Sequence, residues 1–264
     1  MGDLATDTTV EQAGPSTFTC DLSPDWEIWG PNGGYLAAVA MRAAGVASGR
    51  ARPASINAHF VGAGRSEPVD ISVEVTRETK VATSVTARIS QEGRPLLVAT
   101  VWGVDGNLDG LEHHTTLGPH DVPDPEDLQN TKQLLSVEDG PPRHPFWGNI
   151  EQRPTEWIDD WETREASEPS TRAWVKFVPT ATFADRWVDA CRSLILIDLD
   201  SWPSARSGHA TVNSSRSEAA PCSVVRPPAA PTSEPAPTAT RAVDLPSLAW
   251  LSRATTSITT RSTH

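Results

Sequence analysis

Asp198 ends a run in which Phe183, Trp187, Cys191 and Leu194 precede it in steps of four, four, three and four. At helical spacing these five residues share one face. A carboxylate therefore points where apolar side chains point, and such a group can take a proton from water as a general base. The plainer alternative is a helix C-terminal Asp that turns out to solvent. Asp200 falls on a different face and reads as solvated. Gly33 and Gly34 form the second candidate, at the start of an expected helix. Free N–H groups there could hold an oxyanion or a phosphate, although a Gly-Gly pair also makes an ordinary turn and does not complete the dinucleotide fingerprint.

Other residue types carry weaker signals. Tyr35 and Trp29 could line a channel for an apolar ligand, while aromatics at helical and turn positions commonly belong to the core. His59 lies in a strand pattern beside Phe60 and reads as structural. His113, His114, His120 and Asp121 cluster, but their spacing fits no standard zinc pattern, so no metal is expected. No Gly-x-Ser-x-Gly elbow is present, which argues against a serine hydrolase of the α/β type. Cys191 should face the core, where thiols are inert.

The elements that must position these groups follow from pattern. Ser16–Leu22 reads as a strand. Pro31-Asn32-Gly33-Gly34 is a turn into a helix that runs to about Ala47. Leu36, Val39, Ala40, Ala43 and Ala47 form its stripe, and Ala37, Ala38 and Ala44 make it small and apolar nearly all round. Such a helix is buried and closely approached by other backbone. Strands are expected at 56–61, at 69–75, at 85–90 and from Leu96 to Trp102, with a turn at 91–95. Short connections make them antiparallel neighbours. The Ala-rich helix is the local element able to cover their apolar face, so the sheet should wrap around it. A second strand pair is expected at 150–157 and 171–178, and a second helix from Phe183 to about Leu199.

The 264 residues carry a net charge of −12, which disfavours nucleic acid as a partner. No stretch approaches the roughly 18 consecutive apolar residues of a membrane span. The acidic, polar start does not read as a secretory signal. Cys20, Cys191 and Cys222 make an odd set without a Cys-x-x-Cys pair, which suits a reducing cytoplasm. Residues 204–264 differ from the rest. Six Arg against three acids give them a charge of +3, and they contain no Phe, Tyr, Lys, Met or Gln. Their Ser/Ala/Thr/Pro/Arg texture cannot bury enough apolar surface to offset chain entropy, so a disordered tail is expected.

Four motifs in order carry a family resemblance: 29–38 (Trp-Gly-Pro-Asn-Gly-Gly-Tyr-Leu-Ala-Ala), 58–60 (Ala-His-Phe), 73–77 (Val-Glu-Val-Thr-Arg) and 88–94 (Arg-Ile-Ser-Gln-Glu-Gly-Arg). Together with the segment 190–203 they make the chain resemble the type II acyl-CoA thioesterases. The resemblance implies an α+β hotdog fold, an antiparallel sheet wrapped around a central helix. It also implies a double-hotdog plan, here with an incomplete second unit. The expected organisation is an N-terminal hotdog domain at 15–105, a linker at 106–147, a partial second domain at 148–203 and the tail at 204–264.

The resemblance implies hydrolysis of fatty acyl-CoA to free acid and CoA by an Asp-activated water, with no cofactor. Asp198 corresponds to the family's catalytic Asp on the second helix. Gly33, Gly34 and Tyr35 are the expected substrate-binding residues. The family adds a Thr or Ser and a late Gln, but the last Gln in this chain is Gln152. That departure opens the alternative of a non-catalytic acyl-CoA-binding or dimerising module. A hotdog hydratase would need an Asp and a His close together on a loop and helix, an arrangement absent from these motifs. An incomplete second sheet would also expose apolar faces within 150–200, so a homo-oligomer is expected.

Overall fold

The computed structural model describes residues 1–107, 122–135, 144–158 and 172–199, with the backbone of 251–252. The first unit is built on a six-stranded antiparallel sheet. Its strands are β1 (Glu11–Gly14), β2 (Thr17–Asp21), β3 (Arg52–Phe60), β4 (Pro68–Glu78), β5 (Ala82–Gln91) and β6 (Arg94–Val104). Their order across the sheet is β1-β2-β4-β5-β6-β3. The alternation read in the sequence sets the register. Val69, Ile71 and Val73 of β4 are buried, as are Val85, Ala87 and Ile89 of β5 and Leu97, Ala99 and Val101 of β6. Ile71 lies opposite Ile89, and Ile89 opposite Leu97, so one apolar face runs across three strands. A one-residue slip would turn that whole set to solvent. The β5–β6 hairpin turns at Glu92 and Gly93, both at positive φ, the geometry that matches the twist of the paired strands.

Helix α2 (Gly33–Ser48) lies on that apolar face. It buries residues on every side, including Tyr35, Leu36, Ala38, Val39, Ala40, Met41, Ala43 and Ala44. Its small side chains let the sheet approach from one side and α4 (Arg186–Leu199) from the other. Two glycines set the distance to α4. A Cβ on Gly34 would stand 2.5 Å from the Leu194 carbonyl oxygen, and one on Gly45 would stand 2.8 Å from the Trp187 ring. Gly49 ends α2 at φ 62°, a left-handed cap that a glycine adopts without strain.

The second unit supplies β7 (Ile150–Pro154), β8 (Ala173–Phe177) and α4, with the short α3 (Thr131–Leu134) before β7. β7 and β8 are antiparallel, and Leu251–Ser252 pairs with β8 as a two-residue β9. Phe146, Ile150, Val175, Phe177, Trp187, Cys191 and Ile195 join the same core as the first unit.

Four departures from the sequence reading stand out. The sheet begins at Glu11 rather than after residue 15, because β1 pairs with β2. The polar N-terminus also forms α1 (Leu4–Asp7), with Leu4 buried in the core and the Gly2 N–H donating to Asn149 Oδ1 at 2.7 Å. The expected linker carries α3, capped by Asn130 and Gln133. β9 comes from the segment expected to be disordered; the remainder of that segment lies outside the described residues.

Candidate functional site

The C-terminal turn of α4 meets the N-terminus of α2, and this junction brings together residues 164 and 166 positions apart in sequence. Asn32 caps α2: its Oδ1 accepts from the Tyr35 N–H at 3.0 Å. Its Nδ2 donates to Asp198 Oδ2 at 2.8 Å. The two partners fix the orientation of the amide, since a backbone N–H needs the oxygen and a carboxylate needs the nitrogen. Asn32 is only 5% exposed, and its own N–H donates to the Trp26 carbonyl at 3.0 Å. The Gly34 N–H donates to the same Asp198 Oδ2 at 3.3 Å. Asp198 Oδ2 thus takes two donors, while Oδ1 has no hydrogen-bond partner among the described residues. The carboxylate also sits at the positive end of the α2 dipole, where negative charge is stabilised.

Gly33 completes the junction. A Cβ there would stand 3.1 Å from Asp198 Oδ2 and 3.1 Å from Phe60 Cε1. The bare glycine therefore leaves open the space between a carboxylate and an aromatic edge. Phe60, at the end of β3, is 41% exposed. The exposed Val61 follows it, and Ile197 is exposed on the last turn of α4. An anionic centre with apolar groups nearby suits a ligand with a polar reacting group and a hydrocarbon chain.

Of the sequence-expected site residues, Asp198, Gly33 and Gly34 come together. Tyr35 does not join them. Its ring is fully buried and stacks on Trp26 at 5.7 Å. Its hydroxyl donates to the Asp7 carbonyl at 2.7 Å and accepts from the Ser23 N–H at 3.1 Å. Burial, first of all, pushes its pKa up. The side chain holds the N-terminal segment against the core through these two bonds. Trp29 is 86% exposed, edge-on to His144. His59 is exposed on β3 rather than part of the core. Cys191 is buried as expected, and burial pushes its thiol up to about 12.

The His113–Asp121 cluster and Asp200 lie outside the described residues, among which no group of three or more His, Cys, Asp and Glu could hold a metal. A cavity of about 450 Å³ lies elsewhere, bounded by Thr131, Lys132, Leu135, Trp147, Ile150 and Val178. It shares no residue with the Asp198 junction.

Sequence reasoning missed Asn32 and Phe60 as members of the junction. The signal for Asn32 was present as an N-cap residue type directly before Gly-Gly, but capping explains only its Oδ1.

A single antiparallel sheet around a buried helix, with a second helix laid against it, defines a hotdog protein. Residues 22–104 match the family of the acyl-CoA thioesterase N-terminal domain, in keeping with the motifs of that segment. Solved structures share the fold at low identity. A candidate thioesterase II from Thermobifida fusca is 21% identical, with 75% of this chain and 71% of that chain covered at a TM-score of 0.60. A hot dog protein of unknown function from Alicyclobacillus acidocaldarius is 20% identical over 73% of this chain and 69% of its own, with a TM-score of 0.59. An acyl-CoA thioesterase II from Mycobacterium marinum is 16% identical over 78% and 72%, with a TM-score of 0.59. No curated protein matches the chain. No helix of the described residues is long and apolar enough to cross a membrane.

Proposed function

We propose that the chain hydrolyses fatty acyl-CoA thioesters at the α2–α4 junction, with Asp198 as general base. One observation carries this reading: Asp198 Oδ2 is anchored by Asn32 and Gly34, which leaves Oδ1 open beside a helix N-terminus. In the proposed reaction a water attacks the thioester carbonyl carbon while Oδ1 takes its proton. The carbonyl oxygen gains negative charge toward the Gly33 N–H, one of the first-turn donors of α2 with no partner among the described residues. Donors aimed at developing charge lower the barrier most where water is scarce. The tetrahedral intermediate collapses, the C–S bond breaks, and the proton passes from Asp198 to the departing CoA sulfur. The products are the free acid and CoA, and no cofactor enters the balance.

A second reading has its own support. No Gln follows Gln152, so the family's late Gln has no counterpart to help orient the water. That favours a non-catalytic acyl-CoA-binding or dimerising module. Exposed Phe60, Val61 and Ile197 serve that reading as an apolar contact surface. The two are separated by measuring turnover of a palmitoyl-CoA and binding of its non-hydrolysable thioether analogue by the same protein. Turnover supports hydrolysis, binding without turnover supports the module, and neither rejects both.

A further inference from the structure

Capping alone does not explain why residue 32 is Asn. Ser, Thr and Asp cap a helix about as well, each through one oxygen that accepts a backbone N–H. Asn32 does this with Oδ1 and at the same time donates through Nδ2, a separate atom, to Asp198 Oδ2 at 2.8 Å. Asp would cap equally but set a second carboxylate against Asp198. Ser has no second atom to reach it. The buried position gives the amide no other use, because both halves and the backbone N–H of Asn32 are already engaged within the protein.

We propose that Asn32 is the positioning residue of this site. It ties the N-terminus of α2 to the last turn of α4 and commits Asp198 Oδ2, so that Oδ1 is the oxygen that meets the proton. Gly34 shares the anchoring role at the longer distance of 3.3 Å. The inference rests on the proposed hydrolysis for its kinetic consequence. The hydrogen bond itself can be tested without it.

The test is a double-mutant cycle on the full chain, combining Asn32→Ser with Asp198→Ala. Asn32→Ser keeps a cap for α2 and removes the Nδ2 donor, leaving a shorter hydroxyl held at the cap. Loss of a hydrogen bond to a charged group predicts a kcat lowered about 10- to 100-fold in Asn32→Ser. Binding of the thioether analogue should stay unchanged, since the Asn32 amide is turned to Asp198 and to the Tyr35 N–H. Loss of the cap alone would leave this split between kcat and binding unmoved. The melting temperatures should be non-additive by about 3 °C or more, because the second substitution has no bond left to break. Wild-type kcat in Asn32→Ser, or equal losses of kcat and binding, overturns the positioning role. Should the wild-type chain not turn over, the proposed hydrolysis fails alone, and additive melting temperatures would then overturn the tie between Asn32 and Asp198.

Discussion

Gly34→Ala tests whether the closeness of α2 and α4 holds this protein together. A Cβ on Gly34 would lie 2.5 Å from the Leu194 carbonyl oxygen and 2.6 Å from Ile195 Cα. Ordinary contact begins near 3.4 Å, so α4 would have to retreat by about 0.9 Å. The obstructing atoms are backbone on both sides, and no rotamer change can relieve them. Overpacking of this kind costs about 1–3 kcal/mol. The better helix propensity of Ala offsets at most about 1 kcal/mol. A net loss of about 1–2 kcal/mol corresponds to a melting temperature lower by about 3–8 °C for a domain of this size. Gly33→Ala is the control. Its Cβ would meet only Asp198 oxygens and the Phe60 ring edge at 3.1–3.3 Å, and side chains can give way. Gly33→Ala should therefore stay within about 3 °C of the wild type while lowering turnover, because it fills the space beside Asp198. Differential scanning calorimetry of both variants measures this. A Gly34→Ala variant as stable as the wild type, or less damaged than Gly33→Ala, would refute the packing argument.

Two further expectations concern buried titratable groups. Burial pushes Cys20 and Cys191 up to about 12, which leaves about one thiolate in ten thousand at pH 8. Iodoacetamide followed by peptide mass mapping should find both unmodified in the folded chain and modified in denaturant; rapid native labelling of Cys191 would contradict its burial. Asp7 has its pKa raised above 3.8, chiefly by desolvation, although Trp26 Nε1 donates to it at 2.8 Å. The folded state then holds that proton more tightly than the unfolded chain. The stabilisation is full below pH 3.8 and is lost as pH rises through the folded pKa. Asp7→Asn keeps an acceptor for Trp26 and removes the charge, so it should melt above the wild type at pH 7 and level with it near pH 3. A variant that melts lower at pH 7 would reverse the sign of this account.

The sequence made some of this structure legible and hid other parts for identifiable reasons. β4, β5 and β6 alternate through their middle residues (69–73, 85–89 and 97–101), because there one face of each is core and the other faces away from it. α2 could be read from its N-cap segment and small apolar residues, and α4 from the stripe that ends at Asp198. β1 could not, because Glu11–Gly14 shows no alternation and exists by pairing with β2. The packing of Tyr35 on Trp26 was hidden for a similar reason. A helix that is apolar on every side gives no sign of which face meets a ligand and which meets Trp26. The Asn32–Asp198 bond joins residues 166 apart, and no local pattern contains a contact of that range.

The central claim is that Asp198 performs chemistry at the junction of α2 and α4. Release of free thiol from a series of acyl-CoAs, by the wild-type chain and by Asp198→Asn, tests it most directly. The account predicts turnover by the wild type and a loss of about 100-fold or more in Asp198→Asn, with the thioether analogue still bound. Equal rates for the two proteins would contradict it.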